Sequence, residues 1–165
     1  MRTFLSYVNN LIFPLIPESH GFKFKRFMLR LAGAKIGHDV KISSSLKVYG
    51  AGELIIGEGT WIGYQVTIVT SSRVEIGSNV DIAPRVYIGT GSHVIDVNAN
   101  RVAAAGISMD VNIGNGCWLC TCALILPGIT ISEKCVVAAG SVVTHSFSEN
   151  GILIAGVPAE KKKRL

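Results

Sequence analysis

The sequence predicts an all-β fold, a parallel β-helix of triangular section built from hexapeptide repeats, and three observations indicate it. The residue two positions before each repeat position is apolar or small, an alternation typical of short strands with one buried face. The pairs Ile36-Gly37, Ile56-Gly57 and Ile76-Gly77 recur at twenty residues, so each coil has three sides and one longer corner. Aliphatic residues recur six positions apart in two runs, the first of which has two extra residues before each new coil: Ile36, Ile42, Val48, Ile56, Ile62, Ile68, Ile76, Ile82 and Ile88, then Ile113, Leu119, Ile125, Ile131, Val137 and Val143.

The composition suits this fold and a single domain. The chain has 165 residues, of which 48% are hydrophobic, and this is enough for a buried core. Only 7% are aromatic while 18 residues are glycine, which favours many short strands and tight corners over a helical bundle.

Residues 1–35 do not share the repeat, and apolar residues at helical spacing predict two short helices on either side of residues 17–21. Basic residues accompany the apolar ones in the second helix: Lys23, Lys25, Arg26 and Arg30. One role for this amphipathic helical cap is to close the open end of the repeat, where strand edges and apolar side chains would otherwise meet water. A second and compatible role is peripheral contact with an anionic membrane surface.

The repeat occupies residues 36–148 and is interrupted once. Its rhythm stops at residues 88–93, where the sequence reads Ile-Gly-Thr-Gly-Ser-His, and we expect an inserted irregular loop over residues 94–112. Residues 149–165 follow as a C-terminal turn, a short helical segment and a basic tail. Because a histidine stands at the break in the repeat, this break is the candidate active site.

Both ends of the chain are basic around a mildly acidic body, with a net charge of +5. This distribution favours an anionic partner at the ends and argues against a nucleic-acid surface along the body. The apolar N-terminus is interrupted by Asn9, Asn10, Pro14 and Pro17, too soon for a membrane span, and it lacks the features of a signal peptide. We therefore expect a cytoplasmic protein with peripheral contact at the inner face of the membrane.

The four cysteines lack the spacing of a zinc site, and no metal ion is expected. Cys117 and Cys135 are inward by the alternation and eighteen residues apart, so we expect them to stack on adjacent coils as small core residues. Cys120 and Cys122 are expected to face outward.

A more specific pattern lies in four motifs of the C-terminal third. They are Ile113-Gly114-Asn115-Gly116-Cys117-Trp118-Leu119, Ile125-Leu126-Pro127-Gly128-Ile129-Thr130-Ile131, Ala138-Ala139-Gly140-Ser141-Val142-Val143-Thr144 and Ile154-Ala155-Gly156-Val157-Pro158-Ala159. With the repeat, they resemble the hexapeptide-repeat acyltransferases, and among these the sugar O-acetyltransferases of the maltose, galactoside and colanic acid type. The resemblance implies a left-handed β-helix, assembly as a homotrimer and acetyl-CoA as co-substrate.

Acetyl transfer to a hydroxyl needs a base that removes the hydroxyl proton, and an imidazole suits this role near neutral pH. In the resembling family the catalytic histidine stands at this end of a coil, so the resemblance assigns the role to His93. The histidines at positions 20 and 38 lie at the opposite end and are not expected to take part.

Two further residues are candidates for the acceptor site. Gln65 lies one coil before His93, where the sugar acetyltransferases have asparagine, and we expect its amide on the same side as the histidine, orienting the acceptor sugar. Asp81 is the second candidate. Either Asp81 or Asp96 could also hold the imidazole, and spacing does not choose between them.

The resemblance also assigns the acetyl-CoA groove, which lies between neighbouring subunits. Two positions depart from the family's usual residues: Cys120-Thr121-Cys122 replaces a stretch like Gly-Ala-Gly, and His145 replaces a lysine. Lys161 and Lys163 provide a cationic end for the phosphates. The matching positions in the groove are Thr121, Ala139, Gly140, Thr144, His145, Gly156, Val157 and Pro158.

The sequence therefore predicts an acetyl-CoA-dependent O-acetyltransferase that modifies a sugar hydroxyl of a surface polysaccharide precursor or lipid-linked saccharide. Alternatives on the same fold are an amino-sugar N-acetyltransferase, a serine O-acetyltransferase and a non-enzymatic structural β-helix. Serine acetyltransferases carry a long helical N-terminal domain, which 35 residues cannot supply. A gamma-type carbonic anhydrase needs three histidines at zinc, and only His93 and His145 lie far enough along the chain.

Overall fold

The computed structural model describes all 165 residues, and it confirms the predicted parallel β-helix of triangular section. Three parallel sheets form the faces A, B and C, named in the order in which the chain visits them, and five complete coils stack along the axis. Backbone N–H groups of each coil donate to carbonyls of the next, as from Gly37 to Ile56 and from Gly57 to Ile76, both at 2.8 Å. Other hydrogen bonds run the opposite way, as from Val74 to Glu53 at 2.9 Å, so each inner coil both donates to and accepts from its two neighbours.

The strands are short, most of them two or three residues. Face A contains β1 (Lys35–Ile36), β4 (Leu54–Ile56), β7 (Val74–Ile76), β12 (Val111–Ile113) and β15 (Thr130–Ile131). Face B contains β2 (Lys41–Ile42), β5 (Trp61–Ile62), β8 (Asp81–Ile82), β13 (Trp118–Leu119), β16 (Val136–Val137), β18 (Ile152–Gly156) and β19 (Ala159–Arg164). Face C contains β3 (Lys47–Tyr49), β6 (Thr67–Val69), β9 (Tyr87–Gly89), β14 (Leu124–Ile125) and β17 (Val142–Val143).

The inward side chains fill the interior of the prism. Every aliphatic residue of the six-residue repeat is buried, as are the apolar or small residues two positions before them. Cys117 and Cys135 lie in this core as expected, and burial raises the pKa of the Cys117 thiol to about 11. The regular spacing therefore reflects one geometric demand, that each side of each coil contributes two side chains to the interior.

The break in the repeat is a β-hairpin that projects from the prism rather than an irregular loop. Strand β10 (Gly91–Ile95) pairs antiparallel with β11 (Ala103–Ser108), and all of β10 is exposed. The hairpin leaves the corner where face C passes to the next face A, which we call the C–A corner. Its base is tied to the preceding coil, because the Arg73 amide donates to Asp110 Oδ1 at 2.9 Å.

The prediction of a short C-terminal helical segment is wrong. Residues 152–156 form β18, which extends face B beyond β16 and turns back into the antiparallel strand β19. Ile152 and Ile154 are buried while Leu153 between them is not, a period of two that suits a strand. The turn between the strands contains Pro158, which has no amide hydrogen to donate inside a helix.

The two N-terminal helices form as expected: α1 (Thr3–Ile12), which continues into a short 3₁₀ turn (Phe13–Leu15), and α2 (Phe22–Leu31). Helix α1 lies against β3, and α2 lies against β1 and β2. The carbonyls of the first coil have no earlier coil to bond, and α2 supplies their donors. Lys25 donates to Ile42 O at 2.8 Å, Arg26 to Val40 O at 2.9 Å, and Arg30 to Ile36 O through two nitrogens at 3.0 and 2.6 Å.

These helices bury several polar residues and expose most of their large apolar ones, unlike an ordinary surface helix. The buried set contains Ser6, Asn9 and Asn10 in α1, and the fully buried Lys25 and Leu29 in α2. We call the exposed apolar side chains the outer face of the helices: Phe4, Tyr7, Leu11, Leu15, Phe24, Phe27 and Leu31. Neither helix has the length and apolar character needed to cross a bilayer.

Candidate active site

His93 lies on β10 with its imidazole held by the backbone of the opposite strand. Its Nδ1 atom lies 3.0 Å from the carbonyl oxygen of Ala104. A carbonyl oxygen only accepts hydrogen bonds, so Nδ1 carries the hydrogen and Nε2 of the neutral ring keeps its lone pair. A β-bulge between His93 and Ile95 shifts the register at this point, a device that commonly re-aims a side chain. The ring is thus oriented as a base that acts through Nε2.

The space beside His93 is an open cleft of about 380 Å³. Gly106 is the cross-strand partner of His93, and a Cβ at this glycine would meet no atom within 4 Å. The absence of a side chain there leaves room next to the imidazole. The cleft is lined by Ser71, Gly91, Ser92, His93, Gly106, Ile107 and Ser108.

Ser71 also lines this cleft, from the preceding coil, although it is not among the predicted site residues. Its amide donates to Thr90 Oγ1 at 2.7 Å, the Ser72 amide donates to the same oxygen at 3.1 Å, and the Thr90 side chain is fully buried. Ser71 stands twenty residues before Gly91, so the coil period itself was the signal that could have found it. Thr90 therefore fixes the turn that forms one wall of the cleft.

The aspartates considered as partners of the imidazole do not contact it. Asp81 is an exposed residue at the start of β8 on face B, and Asp96 Oδ1 accepts a hydrogen bond from the backbone N–H of Asn98 at 2.9 Å within the hairpin turn. Within one chain, neither aspartate is therefore the partner of the His93 imidazole. A backbone carbonyl takes that place.

Gln65 lies at a different corner from His93, between faces B and C, which we call the B–C corner. Its side-chain oxygen accepts from Arg85 Nε at 2.9 Å, and its backbone N–H donates to Ser45 Oγ at 2.8 Å. The expected placement on the same side as His93 is therefore wrong within one chain. The two residues are 28 positions apart, which is not a multiple of the twenty-residue coil, so the chain turns a further corner between them.

The candidate acetyl-CoA positions gather at the C-terminal end of the prism. Thr121 and Gly140 stack at the B–C corner, where the Gly140 amide donates to Thr121 O at 2.9 Å. The Gly156 amide donates to Ser141 Oγ at 3.1 Å, so the turn at residues 156–158 lies beside the same corner. Thr144 and His145 occupy the C–A corner of the last coil, where the imidazole packs on Phe147 with ring centroids 4.6 Å apart.

A larger groove of about 440 Å³ runs along face A, away from His93. Its polar groups bond to one another, since Asn115 Nδ2 donates to Glu133 Oε1 at 2.8 Å and the Glu133 amide donates to Asn150 Oδ1 at 3.1 Å. The groove contains no histidine or cysteine. We therefore place the chemistry at the smaller cleft.

Comparison with known proteins gives the family. No family model matches the chain. The putative colanic acid biosynthesis acetyltransferase WcaF of Escherichia coli K12 is 36% identical over 138 residues, which span 84% of this chain and 73% of that protein. The chain belongs to the hexapeptide-repeat acetyltransferases. Membership makes it an acyltransferase and confirms the resemblance drawn from its motifs.

Two further hexapeptide-repeat acetyltransferases show how far the likeness extends. The galactoside O-acetyltransferase of E. coli K12 is 31% identical over 125 residues, which span 76% of this chain and 61% of that protein. The structure of a hexapeptide-repeat acetyltransferase from Vibrio cholerae, in complex with acetyl coenzyme A, matches 99% of this chain and 86% of its own. Its TM-score is 0.76 at 23% identity, so this likeness is one of fold.

In this acetyltransferase the basic residues of the C-terminal hairpin differ in whether they form ion pairs. The Lys161 ammonium pairs with the Glu149 carboxylate, and this hydrogen bond holds the pKa of Glu149 below its ordinary value. Lys163 is exposed and forms no ion pair. His145 Nε2 lies 3.9 Å from Glu160 Oε2. Of the two predicted phosphate contacts, Lys163 is therefore the one with its charge uncompensated.

Proposed function

We propose that the protein transfers an acetyl group from acetyl-CoA to a hydroxyl of a sugar during the synthesis of a surface polysaccharide. The observation that carries this proposal is the hydrogen bond from His93 Nδ1 to the Ala104 carbonyl, which leaves Nε2 as a proton acceptor in an open cleft. The serine and glycine walls of the cleft suit an acceptor rich in hydroxyl groups. The names of the colanic acid and galactoside relatives support a saccharide as that acceptor.

In the proposed reaction, His93 Nε2 takes the proton from the acceptor hydroxyl as its oxygen bonds to the thioester carbonyl carbon. The carbon–sulfur bond then breaks, and His93 returns the proton to the leaving sulfur. The Ala104 carbonyl stabilises the imidazolium between these two transfers, because it accepts the Nδ1 hydrogen throughout. The thioester supplies the activated acetyl group.

Acetyl-CoA is proposed to bind along the B–C corner and the C-terminal hairpin. Ala139 and Gly140 are exposed there, and a Cβ at Gly140 would meet no atom within 4 Å, so the backbone is open to a ligand. Lys163 provides a positive charge for the phosphates. Thr121 and residues 156–158 line the same end of the prism.

We expect the protein to form a homotrimer, because His93 and Gln65 occupy different corners of one chain and only a neighbouring subunit can bring a B–C corner to a C–A corner. The outward side chains also leave apolar surface to cover: Trp118 is 52% exposed and Leu124 is 36% exposed. Light scattering at micromolar concentration should give three times the 17.6 kDa chain mass. A monomer mass would contradict both the assembly and an active site shared between subunits.

The acceptor is proposed to be a sugar or lipid-linked saccharide, reached from a membrane surface that the N-terminal helices contact. The first 35 residues contain six basic side chains and a single acidic one, which favours anionic lipid. The structure changes the contribution of each charge, because Lys25 is buried and Arg26 is bonded to the first coil. Arg2 and Lys23 remain exposed.

Acetyl-CoA consumption with a panel of acceptors tests the proposed function. We expect release of free thiol that depends on a sugar bearing free hydroxyls and yields an O-acetyl ester, which mild alkali removes. An alkali-stable product on an amino sugar would assign N-acetylation instead. Thiol release with serine would assign serine acetylation, and the absence of release with every acceptor would contradict the proposed function.

A further inference from the structure

The outer face of the N-terminal helices has no partner within the chain. Phe4, Tyr7 and Leu11 in α1 follow the spacing i, i+3, i+7, and Phe24, Phe27 and Leu31 in α2 follow the same spacing. Residues so spaced lie on one side of a helix. Phe4 is 73% exposed and Leu15 is 83% exposed, so this surface is apolar and solvated. Soluble proteins that expose such a patch commonly use it for contact with a partner or a membrane.

The hydrogen bonds on the buried side of the helices explain why their apolar side chains face outward. Lys25, Arg26 and Arg30 are committed to the carbonyls of the first coil, and Asn10 bonds both the amide and the carbonyl of Val48, at 3.1 and 2.9 Å. Turning the helices over to bury the outer face would break all of these hydrogen bonds. The apolar side chains are therefore held outward by the polar ones.

We infer that the outer face inserts into the interfacial region of a lipid bilayer. This inference rests on the membrane contact proposed above and changes its mechanism, since apolar side chains rather than screened charges provide most of the binding. Aromatic and leucine side chains on one face of a helix, beside exposed Arg2 and Lys23, are typical of helices that lie in the plane of an anionic membrane surface.

The charge of this end favours lipid over a second copy of the chain. A second copy docked through the same face would bring two basic ends together, and their repulsion would oppose the contact. An anionic bilayer instead attracts each end. In a trimer with parallel prisms, three outer faces would lie at one end of the assembly and could contact one bilayer together.

Vesicle sedimentation of the full chain tests this inference. We expect binding to vesicles of phosphatidylcholine and phosphatidylglycerol in equal amounts, and most of that binding should persist at about 1 M salt, where the screening length is only ~3 Å. The triple variant Phe4→Gln, Leu11→Gln, Phe27→Gln should lower the partition coefficient by roughly tenfold or more, because it removes apolar area without changing charge. Glutamine is a good helix former, so α1 and α2 should stay intact.

A matched control is Ile95→Gln, Val97→Gln, Val102→Gln, which removes three exposed apolar side chains at the tip of the β10–β11 hairpin. This control should bind vesicles like the unaltered chain. Complete release by salt would show that charge alone drives the contact and would overturn the inference. If the first triple variant changed the mass measured by light scattering, the outer face would be assigned to contacts between copies of the chain. The absence of binding to any vesicle would also refute the inference. None of these readouts uses acetyl transfer, so their failure leaves the proposed catalysis untouched.

Discussion

Replacement of His93 by alanine is expected to lower turnover by about 10²- to 10⁴-fold, the usual contribution of a positioned general base. His93 is exposed on β10 and contributes nothing to the core, so the fold should survive. The affinity for acetyl-CoA should also be largely unchanged, because His93 is proposed to act on the reacting atoms and is not among the residues proposed to hold acetyl-CoA. Steady-state kinetics with a responsive acceptor, together with acetyl-CoA binding by calorimetry, measures both quantities.

The variant His145→Ala is the matched control for this experiment. His145 is also an exposed histidine, but it lies at the C-terminal end of the prism against Phe147. Its loss should weaken acetyl-CoA binding modestly and leave turnover at saturation largely intact. Near-normal turnover of His93→Ala would show that another group is the base, and the hairpin would then have no catalytic assignment.

Replacement of Thr90 by valine is expected to destabilise the protein by about 1–3 kcal/mol, although the two side chains have similar shapes. Valine cannot accept the hydrogen bonds from the Ser71 and Ser72 amides, and the site is closed to water because Thr90 is fully buried. The turn that carries Ser71 should shift, and turnover should fall by about 10- to 10²-fold. Chemical denaturation and kinetics on the same sample measure the two effects.

Thr90→Ser provides the control, because it keeps the hydroxyl and loses only a methyl group. It should retain most of the turnover while losing some stability. If Thr90→Val unfolded and turned over like the unaltered chain, the hydroxyl would have no part in forming the cleft. The comparison therefore separates the hydrogen bonds from the packing of the methyl group.

The repeat could be predicted from the sequence because every coil imposes the same requirement on its inward residues. Ile82 and Leu119, for example, face the interior at equivalent points of successive coils, and the spacing records this directly. The sequence of the β10–β11 hairpin shows no such spacing. Its side chains are exposed, so burial imposes no period on them, and the segment was expected to be irregular.

The site was only partly predictable for a related reason. His93 was found because it stands at the break in the repeat. Its orienting partner is the backbone carbonyl of Ala104, which any residue could supply, so the identity of residue 104 carries no signal. Gln65 is separated from His93 by one coil and one further corner, and the six-residue spacing by itself does not show which corner each residue occupies.

The carbonyls at the N-terminal end of the prism have a consequence for how the protein behaves in a crowded solution. Each coil accepts hydrogen bonds through the carbonyls that face the N-terminal end, so a bare first coil would be a template on which another chain could add strands without limit. Lys25, Arg26 and Arg30 occupy those carbonyls with side-chain donors. Helix α2 therefore blocks the addition of further strands to the first coil. We expect a chain without α2 to form fibres.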